Sequence, residues 1–333
     1  MAERRILTQI APTAWEHPAD RAALNTLRSI PGFDDLVRKI LGFFGERGIR
    51  YLFLADAVRI GPRQRPKLDA LYTEVLETMD WPERPQLYVT QTPFVNAGAV
   101  GFEKPFIVLN SGALGLLDRE EQRVILGHEL GHIMSGHATY RTIALILIMV
   151  GLRNLPFLAG MALLPIELAL MEWFRKSELS SDRAGMLASQ DPTASMRMFL
   201  KFAGGGARMG VEASSDEDEI NLDEFLVQAQ EYETGGGALD GIFKILNVAF
   251  RTHPFHTVRA AELQRWMMSG AYERIVGGDY PRRDASGDRP LSEDYADAAG
   301  YYGEQARGAM DQVAGIIKGA RDAFTGAFRN QTK

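Results

Sequence analysis

The segment His128-Glu129-Leu130-Gly131-His132 constrains this chain more than any other part of its sequence. Its two histidines are one helical turn apart, so on a helix both imidazoles project from the same face and can bind one metal ion. Between them, Glu129 would point toward a water molecule on that metal and serve as a general base. The spacing therefore predicts a helix that carries a hydrolytic zinc site.

The composition limits the sites and partners that the chain can have. No cysteine occurs in the 333 residues, so disulfides and thiolate ligands are excluded and any zinc must be bound by nitrogen and oxygen atoms. A net charge of −6 argues against a nucleic-acid partner, because no surplus of basic side chains is available to neutralise phosphates.

The helix that carries the motif has a clear start signal. Asp118 can cap the free amides, and Glu121 completes a capping box three residues later. Gly127 and Gly131 either let a neighbouring element approach the metal face closely or are simply tolerated there.

A catalytic zinc ion usually takes three protein ligands and keeps a fourth position for water, so one more ligand is needed. The metzincin pattern requires a glycine and a histidine at fixed positions after the second histidine, but Ser135 and Ala138 occupy them. The nearby His137 does not fit that pattern. We interpret it as a helix-end or core histidine.

The carboxylates further along the chain include one pair with suitable spacing. Of Glu167, Glu172 and Glu178, only Glu178 has an acidic partner one turn later on the same helix face, namely Asp182. Glu178 would bind zinc, and Asp182 would accept a hydrogen bond from the far nitrogen of a ligand histidine and fix its tautomer. An exposed acidic pair on a solvated helix is the alternative, and the HExxH motif favours the ligand interpretation.

These motifs together resemble a known family. The HExxH motif followed by Glu178 and Asp182 is similar to the HExxH…ExxxD signature of the HtpX and CAAX-prenyl-protease family of gluzincin zinc metallopeptidases. That family's substrate-side edge strand and its C-terminal HP…R element also have counterparts here, at Asn96-Ala97 and at His253-Pro254 with Arg259.

The resemblance implies a zinc-dependent endopeptidase that hydrolyses protein or peptide substrates with one catalytic zinc ion. It implies that His128, His132 and Glu178 bind the metal, with Asp182 hydrogen-bonded behind them. The residues that it implies for the reaction are the base Glu129, the oxyanion-stabilising His253 and Arg259, and the substrate-binding Asn96 and Ala97.

Two other functions remain open. One is a narrow-specificity or latent processing protease that a loop or a partner gates. The other is a non-catalytic, chaperone-like protein that keeps zinc for stability. Glu129 argues against the latter, because a structural zinc site needs no general base and usually has four protein ligands.

Residues 142–174 are far more apolar than their surroundings. The uncharged runs are each shorter than the roughly 20 residues that a spanning helix needs. Arg153, Asn154 and Pro156 interrupt them, as in a hairpin between two helices. We favour a pair of buried or self-associating helices; a hairpin that dips into one membrane leaflet and a true span are the alternatives.

The N-terminus bears on location. Residues 1–10 lack the apolar stretch of a signal peptide, and the long N-terminal spans of membrane-embedded family members have no counterpart here. We therefore predict a cytoplasmic protein, with peripheral contact at the inner face of the membrane as the alternative.

The remaining patterns predict an α+β, mainly helical fold with a zincin-type catalytic core. Three short runs at 86–90, 94–100 and 106–110 predict a small antiparallel sheet packed on the HExxH helix. The predicted regions are an N-terminal helical region at 1–80 that packs on the core, a metallopeptidase domain at 81–279, a linker at 280–293 and a C-terminal amphipathic helix at 294–333. Inside the metallopeptidase domain, 142–174 would form an apolar helical hairpin and 204–237 a flexible acidic loop.

Overall fold

The computed structural model of this chain describes residues 4–28, 30, 32–150, 157–205, 221–234 and 255–284, and every structural statement concerns those residues. The described residues all lie within one compact unit, Met1–Ser286, and the second unit of the chain is Gly287–Lys333. The second unit lies outside the described residues, as does the predicted C-terminal helix at 294–333. The same holds for His253 and for most of the predicted acidic loop at 204–237 and linker at 280–293.

The described part of the chain is mainly helical, which confirms the predicted α+β class. A short 3-10 helix, Pro12–Ala14, precedes the α-helices. In chain order the α-helices are α1 (Pro18–Arg28), α2 (Phe33–Leu54), α3 (Pro66–Thr78), α4 (Ser111–Leu116), α5 (Arg119–Met134), α6 (His137–Val150), α7 (Phe157–Ser189), α8 (Pro192–Gly204), α9 (Leu222–Thr234), α10 (His256–Met268) and α11 (Ala271–Gly277).

The sheet is mixed, so the prediction of a purely antiparallel sheet was wrong. Its strands are β1 (Ala57–Arg59), β2 (Gln86–Thr90), β3 (Ala97–Val100) and β4 (Phe106–Asn110), in the order β1-β2-β4-β3. Strand β4 lies between β2 and β3, where it pairs parallel with β2 and antiparallel with β3. Three runs joined by turns look like a meander in the sequence, which does not reveal that the third strand inserts between the first two.

Both faces of the sheet are covered, and alternate strand residues enter two separate cores. Leu87 and Val89 pack into the core that also contains residues of α3, α5, α7, α8 and α10. Tyr88, between them, packs into a second core with residues of α1, α2, α6 and α7. This two-residue alternation is what a strand buried on both faces requires.

Helix α5 begins with the predicted capping box. Asp118 accepts hydrogen bonds from the backbone amides of Glu120 and Glu121, and the Glu121 carboxylate accepts one from the amide of Asp118. Such a cap contributes on the order of 1 kcal/mol to helix stability. It sets the first residue of α5, and hence the face on which the later histidines project.

Helices α5 and α7 pack closely because small residues line their contact. A Cβ atom built on Gly127 would lie 2.3 Å from the Cβ of Ala188, and one on Gly131 would lie 2.5 Å from the Cβ of Ala184. Both distances are too short for real carbon atoms, so glycine is required at these two positions. The close packing brings the middle of α7 against the motif-bearing face of α5.

Within the described residues, no helix has both the length and the apolar character needed to cross a membrane. The predicted hairpin at 142–174 corresponds to most of α6 and the first part of α7, and residues 151–156 between these helices lie outside the described residues.

Candidate active site

Three side chains from α5 and α7 converge on one point. The Nε2 atoms of His128 and His132 are 3.2 Å apart. The two carboxylate oxygens of Glu178 lie 3.5 Å from Nε2 of His128 and 3.3 Å from Nε2 of His132. All three residues are buried, and one ligand atom from each lies within 4.8 Å of the others. Bonds of about 2.0–2.2 Å to one zinc ion leave ligand atoms roughly 3–3.5 Å apart, so the cluster fits that ion.

Glu129 lies at the edge of the same cluster. Its Oε1 is 3.9 Å from Nε2 of His128, and its side chain is only 2% exposed. Its Oε2 is buried and has no hydrogen-bond partner among the described residues. A buried carboxylate oxygen without a partner is costly, so this atom is suited to contact a molecule bound in the site.

Asp182 lies behind His128 and joins it to α10. Its Oδ1 is 3.0 Å from Nδ1 of His128. Arg259 donates to both oxygens of Asp182, from Nε at 2.8 Å and from Nη2 at 2.5 Å. Burial alone would raise the pKa of Asp182, but the charge and hydrogen bonds of Arg259 and His128 outweigh burial and lower it. Asp182 is therefore an ionised acceptor.

The two motif histidines have opposite electrostatic surroundings. Burial opposes protonation of His128, but hydrogen bonds with Asp182 and Glu178 outweigh it and raise its pKa to about 9. Burial and the neighbouring Arg141 guanidinium hold the pKa of His132 well below its ordinary value. His132 is therefore a neutral imidazole that can accept at Nε2.

Two residues of α6 complete the surroundings of His132, and the sequence prediction assigned neither to the site. Arg141 contacts Nε2 of His132 at 2.9 Å and pairs with Oε1 of Glu178. His137 begins α6 and is buried, and its Nδ1 lies 3.1 Å from Nδ1 of His132. No local spacing reveals these contacts, because they depend on how α6 folds back against α5.

The other predicted site residues lie as follows. Ala97 begins β3, which is an edge strand that packs against α5. Asn96 precedes it and accepts a backbone hydrogen bond from Asn110 of β4 at 3.0 Å. Arg259 is buried on Asp182, and its Nη2 is 3.4 Å from Oε2 of Glu178. His253 lies outside the described residues.

Comparisons with known proteins agree with this site. The model of peptidase family M48 matches residues 62–267. The chain is 32% identical over 265 residues to the plastoglobule-localized metallopeptidase 48, chloroplastic, of Arabidopsis thaliana, a match that covers 79% of this chain and 74% of the relative. It is 28% identical over 231 residues to a Protease HtpX homolog of Pseudarthrobacter chlorophenolicus, with 63% and 75% covered. No solved structure matches the chain significantly.

Proposed function

The chain belongs to peptidase family M48 and is a metalloprotease, and from this premise we propose that it is a zinc-dependent endopeptidase acting on protein or peptide substrates. The observation that carries the proposal is the buried cluster of His128, His132 and Glu178 with Glu129 at its edge. A structural zinc site would have no use for a general base at that position, so the cluster favours catalysis over a purely stabilising role.

Zinc would be bound by Nε2 of His128, Nε2 of His132 and the carboxylate of Glu178. When bound, it would polarise the scissile carbonyl and lower the pKa of its water toward about 7. Asp182 would accept the Nδ1 proton of His128 and so keep Nε2 of that ring available as a ligand. The donor set of two nitrogens and one carboxylate is typical of catalytic zinc.

Glu129 would be the general base. It would accept a proton from the attacking water and deliver that proton to the leaving amine. Its buried Oε2, which has no hydrogen-bond partner among the described residues, supports this role because the atom is available to the reactants.

The oxyanion that forms during hydrolysis would need a hydrogen-bond donor or a cationic group beside it. The family resemblance suggests His253 and Arg259, and His253 stays a prediction. Arg259 donates both of its short hydrogen bonds to Asp182, which supports a positioning role through Asp182 and His128 rather than direct contact with substrate.

The substrate would bind along the outer edge of β3, by strand addition. Among the described residues no strand pairs with that edge, so its backbone groups can bind an extended peptide. Asn96 and Ala97 would then contact the substrate backbone. Phe94, which is 76% exposed, precedes the strand and would offer an apolar surface to a substrate side chain.

The cytoplasmic location, and the membrane contact or self-association through 142–174, stay predictions. The Arabidopsis relative is named as plastoglobule-localized and chloroplastic, which is not a cytoplasmic location.

Two substitutions test the mechanism. Glu129→Gln should keep one bound zinc ion and lose at least about 100-fold in hydrolysis of an unfolded protein substrate, because the base is removed and the ligands remain. Glu178→Ala should lose zinc. The matched controls on the same two helices are Glu120→Gln and Glu172→Ala, which should keep both properties. Full hydrolysis by zinc-loaded Glu129→Gln would overturn the mechanism.

A further inference from the structure

The two motif histidines are supported from behind in different ways. His128 meets the carboxylate of Asp182 directly. His132 instead meets a second imidazole, because Nδ1 of His137 lies 3.1 Å from its own Nδ1. On the far side of that ring, Nε2 of His137 is 3.0 Å from Oδ2 of Asp20 in α1. His132 is therefore also supported by a carboxylate, that of Asp20, through the imidazole ring of His137.

The directions of the hydrogen bonds follow from the requirement that His132 bind a metal through Nε2. That nitrogen then holds a lone pair, so the ring proton is on Nδ1 and is donated to Nδ1 of His137. His137 must in turn carry its proton on Nε2 and donate it to Asp20. Each of these two hydrogen bonds has one donor and one acceptor, so together they specify the tautomers of both histidines and the orientation of the His132 ring.

Asp20 is itself held by the helix that carries Glu178. The hydroxyl of Ser180 in α7 donates to Oδ2 of Asp20 at 2.6 Å. The same hydroxyl accepts from the backbone amide of His17 at 2.8 Å, just before α1 begins. Asp20, Ser180 and His137 are all buried, at 0%, 0% and 2% exposure. Water therefore does not compete for these bonds.

We infer that Asp20 and His137 are positioning residues for the metal ligand His132, so that helix α1 contributes the side chain of Asp20 to the metal centre. Asp20 lies well before residue 62, at which the match to the family model begins, so this support comes from outside the matched region. The inference rests on the proposed function, because it requires that His132 bind zinc.

The test compares zinc affinities, measured by competition with a chelator of known affinity. His137→Leu should weaken zinc binding about 10- to 100-fold, which is the usual effect of losing a partner of a ligand histidine. Asp20→Asn should weaken it by roughly tenfold, since a neutral amide accepts more weakly than a carboxylate. His137→Gln should restore much of the loss seen in His137→Leu, because its amide oxygen can accept the Nδ1 proton of His132.

The matched control is Glu121→Gln. Glu121 is also a fully buried carboxylate with ion-pair partners, but it lies at the start of α5, away from the ligands. Its loss should lower stability and leave the zinc affinity unchanged. The visible absorption bands of bound Co²⁺ add a signal that a merely structural role would not move, and they should shift in Asp20→Asn but not in Glu121→Gln.

A double variant separates a relay from two independent effects. His137→Leu interrupts the hydrogen bonds that join His132 to Asp20. Adding Asp20→Asn to it should therefore change the zinc affinity by less than about twofold, and additive losses would overturn the relay. If His137→Leu does not fold, Asp20→Asn carries the test. Wild-type zinc affinity and Co²⁺ bands in Asp20→Asn would overturn this inference alone. A wild-type chain that binds no zinc would instead overturn the proposed function.

Discussion

Arg141 donates from Nη1 to Nε2 of His132 across 2.9 Å, so a permanent cation lies against an atom that we propose as a zinc ligand. The guanidinium also pairs with Oε1 of Glu178 and lies over the ring of Phe174, 4.2 Å from its centre. Arg141 is therefore held in place from two sides, and its charge acts at the proposed ligand cluster.

Replacing this cation should strengthen metal binding. In Arg141→Met a divalent ion no longer meets a like charge at short range, and at an effective dielectric constant near 20 such a repulsion amounts to a few kcal/mol before compensation. We expect zinc affinity to rise by about tenfold or more, as measured by chelator competition. Arg123→Met is the matched control, because Arg123 is a buried arginine of α5 that pairs with Glu74 and Glu120. A weaker affinity in Arg141→Met would contradict the prediction.

A second arginine variant distinguishes positioning from contact with substrate. In Arg259→Lys the two-pronged hydrogen bond to Asp182 cannot form, because an ammonium group does not reproduce the planar guanidinium. If Arg259 acts through Asp182 and His128, zinc affinity should fall by about tenfold and kcat at saturating zinc should recover. If it instead stabilises the oxyanion, kcat should fall and zinc affinity should stay unchanged. Arg175→Lys, at an ion pair with Glu172, serves as the control.

The predictable part of this site depends on local spacing. The motif histidines, and likewise Glu178 and Asp182, are one helical turn apart, so each pair shares a helix face whatever the helices pack against. The capping box of Asp118 and Glu121 is equally local, and its hydrogen bonds are present. Short-range geometry is nearly independent of the rest of the fold, which is why these features can be predicted from the residues alone.

The rest of the site depends on how helices and strands pack together, which the spacing of residues in the sequence does not encode. In the sequence, His137 looks like an ordinary helix-end histidine. In the structure, its ring lies between His132 of α5 and Asp20 of α1. The guanidinium of Arg141 reaches the cluster for the same reason. Strand β4 likewise pairs parallel with β2, because it enters between β2 and β3 rather than beside the last strand. Each of these relationships joins different helices or strands, so it depends on how those elements pack together.

The contact between α5 and α7 should tolerate no added methyl group. Gly131→Ala would place its Cβ 2.5 Å from the Cβ of Ala184 and push α7 away from α5. Overpacking of this kind costs about 1–3 kcal/mol of unfolding free energy, against a helix-propensity gain of up to about 1 kcal/mol. We expect a net loss of stability in urea titrations, together with weaker zinc binding, because Glu178 moves away from the histidines.

The matched control for that variant is Gly115→Ala, in helix α4. A Cβ on Gly115 meets no atom within 4 Å, so the substitution should be neutral or slightly stabilising. Equal stability of the two alanine variants would show that the contact between α5 and α7 is looser than the distances indicate.

His17, which precedes α1, should account for part of the pH dependence of the free energy of unfolding. Burial and the charge of Arg183 lower its pKa to about 4, from an ordinary value of 6.5. Between these values the unfolded chain binds a proton that the folded chain does not, so the free energy of unfolding falls as the pH drops from about 6.5 to about 4. The full loss from this one group is about 3 kcal/mol.

His17→Asn should remove this dependence without removing the hydrogen bond at the start of α1. Nδ1 of His17 accepts from the backbone amide of Ala19 at 3.1 Å, and an asparagine oxygen can accept in the same place. Urea unfolding of both proteins in chelator, at pH 7.5 and at pH 4.5, measures the difference while titration of the other groups cancels. The wild type should lose on the order of 2 kcal/mol more than the variant between these two values of pH. Equal losses would mean that the pKa of His17 is the same in the folded and the unfolded chain, so that burial does not oppose its protonation.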